Sequence, residues 1–347
     1  MRLRSIIKVM LLPHRTLQER ARLIDRVNAT DGKLVDAQNH IMELTDARVS
    51  LQNELAVVTD ERDRLREILD GLTTVQFVAP GHFYSPFPSK RDIKEYLARE
   101  RPLLREVPAI GMDDALQLEV LESLTSYYHL VPFQAKAVDT LLYSADNPHY
   151  SYTDSIILFC MLNHLRPRRL IEIGSGFSTC AILDTNRISL DSKIKITSIE
   201  PHAELLRTLI SRSSDPPTII ETKLQDVDVR MFDQLESGDV FFVDSTHVSK
   251  LGSDVNYIFF EVLPRLKPGV IIHLHDIYAG FEYPEPWVIE GRAWNEAYLL
   301  RAFLEYNERF RILLFISYLQ NAYEAWFQQN MPKTLLDKGG SFWMEKL

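Results

Sequence analysis

The segment Arg169-Leu-Ile-Glu-Ile-Gly-Ser-Gly-Phe-Ser-Thr-Cys180 constrains the fold more than any other part of the chain. A largely apolar run enters a tight turn, Gly174-Ser175-Gly176, and a helix-forming segment follows. A strand that ends in glycines and continues as a helix begins a βαβ unit. The glycines let backbone approach a nucleotide-like ligand, and the helix N-terminus presents free N–H groups to it.

The same alternation continues downstream. The pattern predicts strands at 170–173, 195–199, 218–221, 239–243 and 269–274, with helices at 178–186, 203–211, 254–266 and 294–306 and a short one at 229–235. A strand at 311–317 and an antiparallel edge strand at 341–344 complete the set. Strands alternating with helices imply a mostly parallel sheet covered on both faces. An apolar helix ending near Leu165 precedes the first strand, with Ser151 or Thr153 as its cap and Pro167 as its stop.

The N-terminal part reads differently. Ala37, Leu44, Leu51, Val58, Leu65 and Leu72 recur every seven residues. Leu34, Ile41, Leu55 and Leu69 run three positions ahead, with Arg48 and Arg62 in the gaps. This a/d pattern predicts a coiled coil over about 16–72, interrupted near Gly32, and hence a homo-oligomer. The domain plan is therefore 1–72 as basic lead and coiled coil, 73–145 as linker and helical cap, and 146–347 as the catalytic domain. The basic, apolar residues 1–12 are too short to span a bilayer and suit a weak membrane-surface contact.

Net charge is −9, which excludes the broad positive field a nucleic-acid partner needs. The two cysteines, Cys160 and Cys180, have neither metal nor redox spacing and read as buried residues of a reducing compartment, so a cytoplasmic location is expected.

Chemistry in an open parallel sheet collects outside the carboxyl ends of the strands. Polar residues fall at those ends in succession: Glu172 with Gly174, Ser175, Gly176 and Ser178, then Glu200, Asp226, Asp244, and the pair His275-Asp276. Glu200 stands where a ribose-binding carboxylate belongs, and Asp226 is placed to accept from an adenine amino group. A dinucleotide fingerprint asks for a third glycine, and Thr179 occupies that position. Glu172 would repel a pyrophosphate and suit a cationic amino-acid moiety. These features favour S-adenosyl-L-methionine over NAD.

Residues 146–346 resemble a class I S-adenosylmethionine-dependent methyltransferase, and within that class a bacterial subgroup met near sugar and polysaccharide biosynthesis. The resemblance is carried by Asn147–Asp154, Ile171–Ser178, Ser198-Ile-Glu-Pro201, Phe242-Val-Asp-Ser-Thr-His-Val248, Gly252–Asn256, His273-Leu-His-Asp-Ile277, Phe281-Glu-Tyr-Pro284 and Trp294-Asn-Glu-Ala-Tyr298. It implies a Rossmann-like seven-stranded α/β fold and methyl transfer. Glu172, Gly174, Ser175, Gly176, Ser178, Glu200, Asp226 and Asp244 become the cofactor-binding set. Metal-dependent members hold a divalent cation, Mg²⁺ or Mn²⁺, and the matching positions are Asp244, His275 and Asp276. Their acidic loop appears here as Asp244-Ser-Thr-His247, without its second acid.

Transfer to oxygen also needs a base, and His247, His275 and Asp276 are the candidates. His273 reads as a hydrogen-bonded core histidine. Glu282-Tyr-Pro-Glu-Pro-Trp287 reads as a substrate-covering loop, and His82, Tyr84 and Phe87 as a substrate mouth. The expected acceptor is a small molecule or glycan precursor, methylated on oxygen. The alternatives are an NAD-dependent oxidoreductase and a non-catalytic coiled-coil scaffold.

Overall fold

A computed structural model describes residues 7–10, 16–72, 77–99 and 106–347. The chain divides into two compact units, Met1–Ala79 and Pro80–Leu347.

The first unit contains one long helix, α1, Leu17–Leu72. Thr16 and Glu19 start it with a reciprocal cap: the Glu19 carboxylate accepts from the Thr16 amide at 2.9 Å, and the Thr16 hydroxyl accepts from the Glu19 amide at 3.4 Å. The helix runs straight through Gly32. A single glycine costs only about 1 kcal/mol relative to alanine, less than the propagation of the residues around it supplies, so the expected interruption does not occur. At 1.5 Å per residue the helix is about 84 Å long. Leu34, Ile41, Leu44, Leu51, Leu55, Val58 and Leu65 are all exposed along it. Of the N-terminal stretch expected at a membrane surface, only the helical residues 7–10 are described, and the rest of residues 1–12 lie outside the described residues. No described helix is long and apolar enough to cross a membrane.

The second unit opens with α2, Lys90–Leu97, started by a Ser89–Asp92 capping box, and α3, Asp114–Tyr128. The expected helical run to about 145 stops at His129, and residues 129–151 are irregular. Helix α4, Tyr152–Leu165, is buried from Thr153 to Asn163 and packs against α3 and α5 (Phe177–Ser189). Ser151 takes the N-cap position without a side-chain cap bond. The Thr153 hydroxyl is turned instead to the Thr334 carbonyl and Asp337.

The strands are β1 Arg169–Ile173, β2 Lys195–Ile199, β3 Thr218–Ile220, β4 Val240–Val243, β5 Ile271–Leu274, β6 Phe310–Phe315 and β7 Phe342–Lys346. Their order is β3-β2-β1-β4-β5-β7-β6, parallel except for β7. Every residue of β4 and β5 is buried, as a sheet covered on both faces requires. β7 is not the edge strand its position in the sequence suggested. It inserts between β5 and β6, leaving β6 at the edge. Its Phe342, Trp343 and Met344 are fully buried, and only an interior slot covers such residues. β6 ends at Phe315, and Ser317 belongs to α10, Ile316–Ala322. Between the strands lie α6, Glu204–Leu209, and α7, Asp254–Tyr257, which runs through a π turn at Ile258–Val262. Helices α8, Glu285–Glu290, and α9, Glu296–Leu304, precede β6.

Ladder pairing fixes the functional edge. Glu172 lies opposite Ser198, and Ile173 opposite Val243. The next amides continue the ladders: Gly174 donates to Ile199 (3.1 Å), Asp244 to Ile173 (2.9 Å) and His275 to Val243 (2.9 Å). Residues distant in sequence thus leave the sheet side by side. The strand order reverses between β1 and β4, the switch point at which such sheets bind ligands.

Candidate active site

A cleft of ≈ 670 Å³ opens at this switch point, lined by Gly174, Glu200, Asp226, Asp244, Ser245 and neighbouring residues. Gly174 has φ +73, and a Cβ there would lie 1.8 Å from the Asp244 carbonyl oxygen. Glycine is therefore required twice, by its left-handed backbone and by the close approach of β4. Glu200 is held in place: its carboxylate accepts from the Ser175 amide at 3.2 Å and from the His202 amide at 2.8 Å.

Glu172 and Ser178 do not face this cleft. Glu172 is fully buried beneath the turn. It accepts from Ser178 (2.8 Å), Thr179 (2.7 Å) and Ser198 (2.8 Å). Burial pushes its carboxyl up to about 7, against the opposing pull of the three hydroxyls. The Thr179 hydroxyl also accepts from the Gly176 amide at 3.1 Å. Thr179 replaces a third glycine because the turn is tied down by this buried carboxyl. Alternation along β1 points Glu172 inward, where its hydrogen bonds brace the turn.

Beyond the cleft lies a second cluster. The His247 Nε2 stands 3.5 Å from Asp244 Oδ1 and 3.6 Å from Asp276 Oδ2, and its Nδ1 is 2.8 Å from Glu296 Oε2. His275 Nδ1 is 3.2 Å from Asp244 Oδ1, and its Nε2 is 3.3 Å from Asp154 Oδ2. Asp154 accepts further from the Gly340 amide (3.2 Å) and the Ser341 hydroxyl (2.6 Å). His247 and Asp276 both have left-handed backbones, φ 58 and 59, a strained conformation that clusters at functional sites. At Gly340 a Cβ would come within 2.8 Å of the Asp276 Cα, so the loop before β7 can close on this cluster only with glycine there.

The charges are strongly coupled. Burial works against the charged form of His247, yet its bonds to Asp244 and Glu296 raise it to about 10. His275 is also shifted upward, because the carboxylates of Asp276 and Asp244 outweigh its burial. Burial alone would lift Asp244, but the cations of His275 and His247 hold it well below the usual carboxylate range. Burial raises Asp276 and Glu296.

This geometry changes two expectations. Both His275 nitrogens lie within hydrogen-bond distance of a carboxylate, Asp244 at 3.2 Å and Asp154 at 3.3 Å, whereas the His247 Nε2 stands back at 3.5 and 3.6 Å from the two carboxylates it faces. The three side chains that converge on one point are Asp244, His247 and Asp276. His273 is buried between Phe242 and Trp343, and both its nitrogens lack partners. Burial holds it neutral, lowering it to about 3, and the hydrogen bonds expected of it are absent.

Asp154 and Glu296 went unassigned in the sequence. Both lie within the segments that carry the family resemblance, and both are acids in the first turn of a helix, where a solvated or capping role is the ordinary reading. Only their burial, 6% and 1% exposed, marks them as part of the site.

The residues present suit S-adenosylmethionine. The cleft has a ribose-type carboxylate at Glu200, a close-approach glycine at Gly174, and a buried hydroxyl oxygen without a partner at Ser245 Oγ. The sheet is Rossmann-like, its cleft lies at the switch point, and no dinucleotide fingerprint is present. Residues 171–277 match the family described as a methyltransferase domain. An uncharacterized protein of Archaeoglobus fulgidus is 36% identical over 167 residues, which cover 45% of this chain and 73% of that protein. Solved structures with similar folds include the O-methyltransferase TomG from Streptomyces achromogenes in complex with SAM, 13% identical over 69% of this chain and 91% of TomG, with a TM-score of 0.38. Cofactor-bound Rv0187 from MTB is 12% identical over 75% of this chain and 97% of that one, with a TM-score of 0.36. Residues 171–277 of the chain thus carry a methyltransferase domain.

Proposed function

We propose that the protein methylates an oxygen of a small-molecule or glycan-precursor acceptor, with a divalent cation held by Asp244, His247 and Asp276. The observation that carries this reading is the His247 geometry: Nε2 faces two carboxylates at 3.5 and 3.6 Å while a buried glutamate holds Nδ1. A carboxylate behind a histidine that faces further ligands is the outer-shell arrangement of metal sites. Charge supports it too. With His247 neutral, as a metal ligand must be, Asp154, Asp244, Asp276 and Glu296 exceed the His275 cation by three negative charges, most of which a divalent cation would offset. Two oxygens and an imidazole suit Mn²⁺ and Mg²⁺.

A bound cation supplies Lewis-acid stabilisation to an acceptor oxygen as it loses its proton. S-adenosylmethionine supplies a methyl group activated by sulfonium. The chain's own work is orientation. Glu200 and Asp226 hold the nucleoside end of the cofactor across the Gly174 turn. Glu296 fixes the His247 tautomer that presents Nε2 to the aspartates. Asp154, through His275, keeps Asp244 ionised and in place.

The exposed heptad side chains of α1 support a homo-oligomer joined through this helix, with residues 1–12 available to a membrane surface. The seven-residue period carries both the coiled-coil assignment and the spacing role. The subgroup resemblance favours sugar-linked acceptors in a cytoplasmic setting.

Titration with S-adenosylhomocysteine tests the cofactor assignment, and absence of binding by folded protein refutes it. Turnover of S-adenosylmethionine against hydroxylated acceptors, with and without EDTA, tests the cation. Turnover insensitive to EDTA removes the cation from the reading.

A further inference from the structure

A second cavity, ≈ 630 Å³, adjoins the cleft, and Lys250 lines both. Its volume is in the range of small-ligand sites. The walls come from the α8 region, from the 247–253 loop and from the Pro86-Phe87-Pro88 segment. His82 and Tyr84, grouped with Phe87 in the sequence reading, are not among its lining residues and pack on Phe83 instead. The inner wall is Trp294, whose ring lies 4.4 Å from that of His247. A ligand resting on Trp294 is therefore one side chain away from the proposed catalytic cluster.

The lining has an unusual charge balance for this chain. It contains two cations, Lys250 and Arg292, and no acid, in a protein whose net charge is −9. Among the described residues no acid pairs with the Lys250 ammonium. The Arg292 guanidinium lies 4.2 Å over the Trp287 ring and 5.0 Å over the Trp294 ring, so it is pre-oriented at the wall. Its Nε donates to the exposed Glu290 at 2.8 Å, leaving the terminal nitrogens for a ligand. Phe87 and Tyr298 are partly exposed and offer ring faces. An otherwise acidic surface repels anions, and a chamber whose charged lining residues are both cations selects them.

We infer that this chamber binds the methyl acceptor, and that the acceptor is a hydroxylated ring compound carrying a carboxylate or phosphate. The inference rests on the methyl-transfer reading and narrows its substrate class. The ring packs against Phe87, Tyr298 and Trp294. The anionic group engages Lys250 and Arg292, and a ring hydroxyl is directed past Lys250 toward Asp244 and Asp276.

The test is titration of the full chain, in the presence of S-adenosylhomocysteine, with glucuronate, glucose 6-phosphate, glucose, 4-hydroxybenzoate and phenol, followed by tryptophan fluorescence. The anionic members should bind at least about tenfold more tightly than their neutral counterparts, the scale of one charge-assisted contact. Comparison of glucuronate with 4-hydroxybenzoate separates sugar from phenolic acceptors, and comparison with glucose 6-phosphate separates carboxylate from phosphate. Lys250→Met and Arg292→Met should each remove the preference for anions, and unchanged thermal unfolding will show that each variant is folded. Equal binding of neutral and anionic probes, no binding of any probe, or an anion preference that survives both substitutions overturns the inference. S-adenosylhomocysteine binding is read in the same experiment. If it is intact while the anion preference is absent, the chamber assignment alone fails. If it is absent, the methyl-transfer reading fails with it.

Discussion

Replacing Glu172 by glutamine isolates the contribution of one buried carboxyl to the cofactor turn. Glu172 is fully buried, its carboxyl stands at about 7 against an ordinary 4.5, and burial is the main cause. A group whose folded pKa is raised leaves stability whole below the unfolded pKa and removes it as pH rises through the folded one. The window is therefore pH 4.5 to 7, with the loss complete above it. At about 1.4 kcal/mol per pKa unit, ionisation in place costs the fold about 3 kcal/mol. Glutamine does not ionise, but it keeps one acceptor oxygen where the carboxylate has two, so at least one of the Ser178, Thr179 and Ser198 hydroxyls loses its acceptor, which costs about 1 kcal/mol at any pH. Urea unfolding of both proteins at pH 4 and pH 8.5 should give profiles that cross near pH 5. Glu172→Gln is the less stable by about 1 kcal/mol at pH 4 and the more stable by about 2 kcal/mol at pH 8.5. Parallel profiles would show that the Glu172 carboxyl titrates alike in the folded and unfolded protein, and the account of the turn as braced by a buried acid of raised pKa would be withdrawn.

Gly174→Ala should abolish S-adenosylhomocysteine binding and lower the melting temperature, because its Cβ meets the Asp244 carbonyl at 1.8 Å; calorimetry showing native affinity would contradict this. Glu296→Gln weakens the hold on His247 Nδ1 and should reduce turnover by about 10- to 100-fold while leaving S-adenosylhomocysteine affinity unchanged, and equal turnover would remove Glu296 from the site. Leu51→Asp with Leu55→Asp places charges on the exposed heptad stripe of α1. Light scattering should report a smaller particle than the native chain, and equal masses would dismiss the coiled coil as the means of assembly.

Much of the architecture was legible because it depends on local pattern. Apolar runs punctuated by glycine and acids mark each parallel strand, and the strand-end positions of Glu200, Asp226, Asp244 and Asp276 follow from those runs. The place of β7 was not legible. Chain order says nothing about which neighbour an antiparallel strand chooses, and β7 lies between β5 and β6 because its Phe342, Trp343 and Met344 need covering on both sides. The glycine turn after β1 was legible, but the direction of Glu172 beside it depends on which face of β1 meets the core.

The cluster around Asp244 and His247 shows the division most sharply. The sequence by itself determined that Asp244, His247, His275 and Asp276 leave adjacent strands at one edge, since strand-end position is a one-dimensional property. Only the tertiary structure decided their roles. Asp154, at the start of α4 and 121 residues before His275, takes up the His275 Nε2. Glu296, 49 residues after His247, takes up its Nδ1. A histidine's function depends on which of its nitrogens is left free, and the groups that occupy them are set by the packing of distant helices.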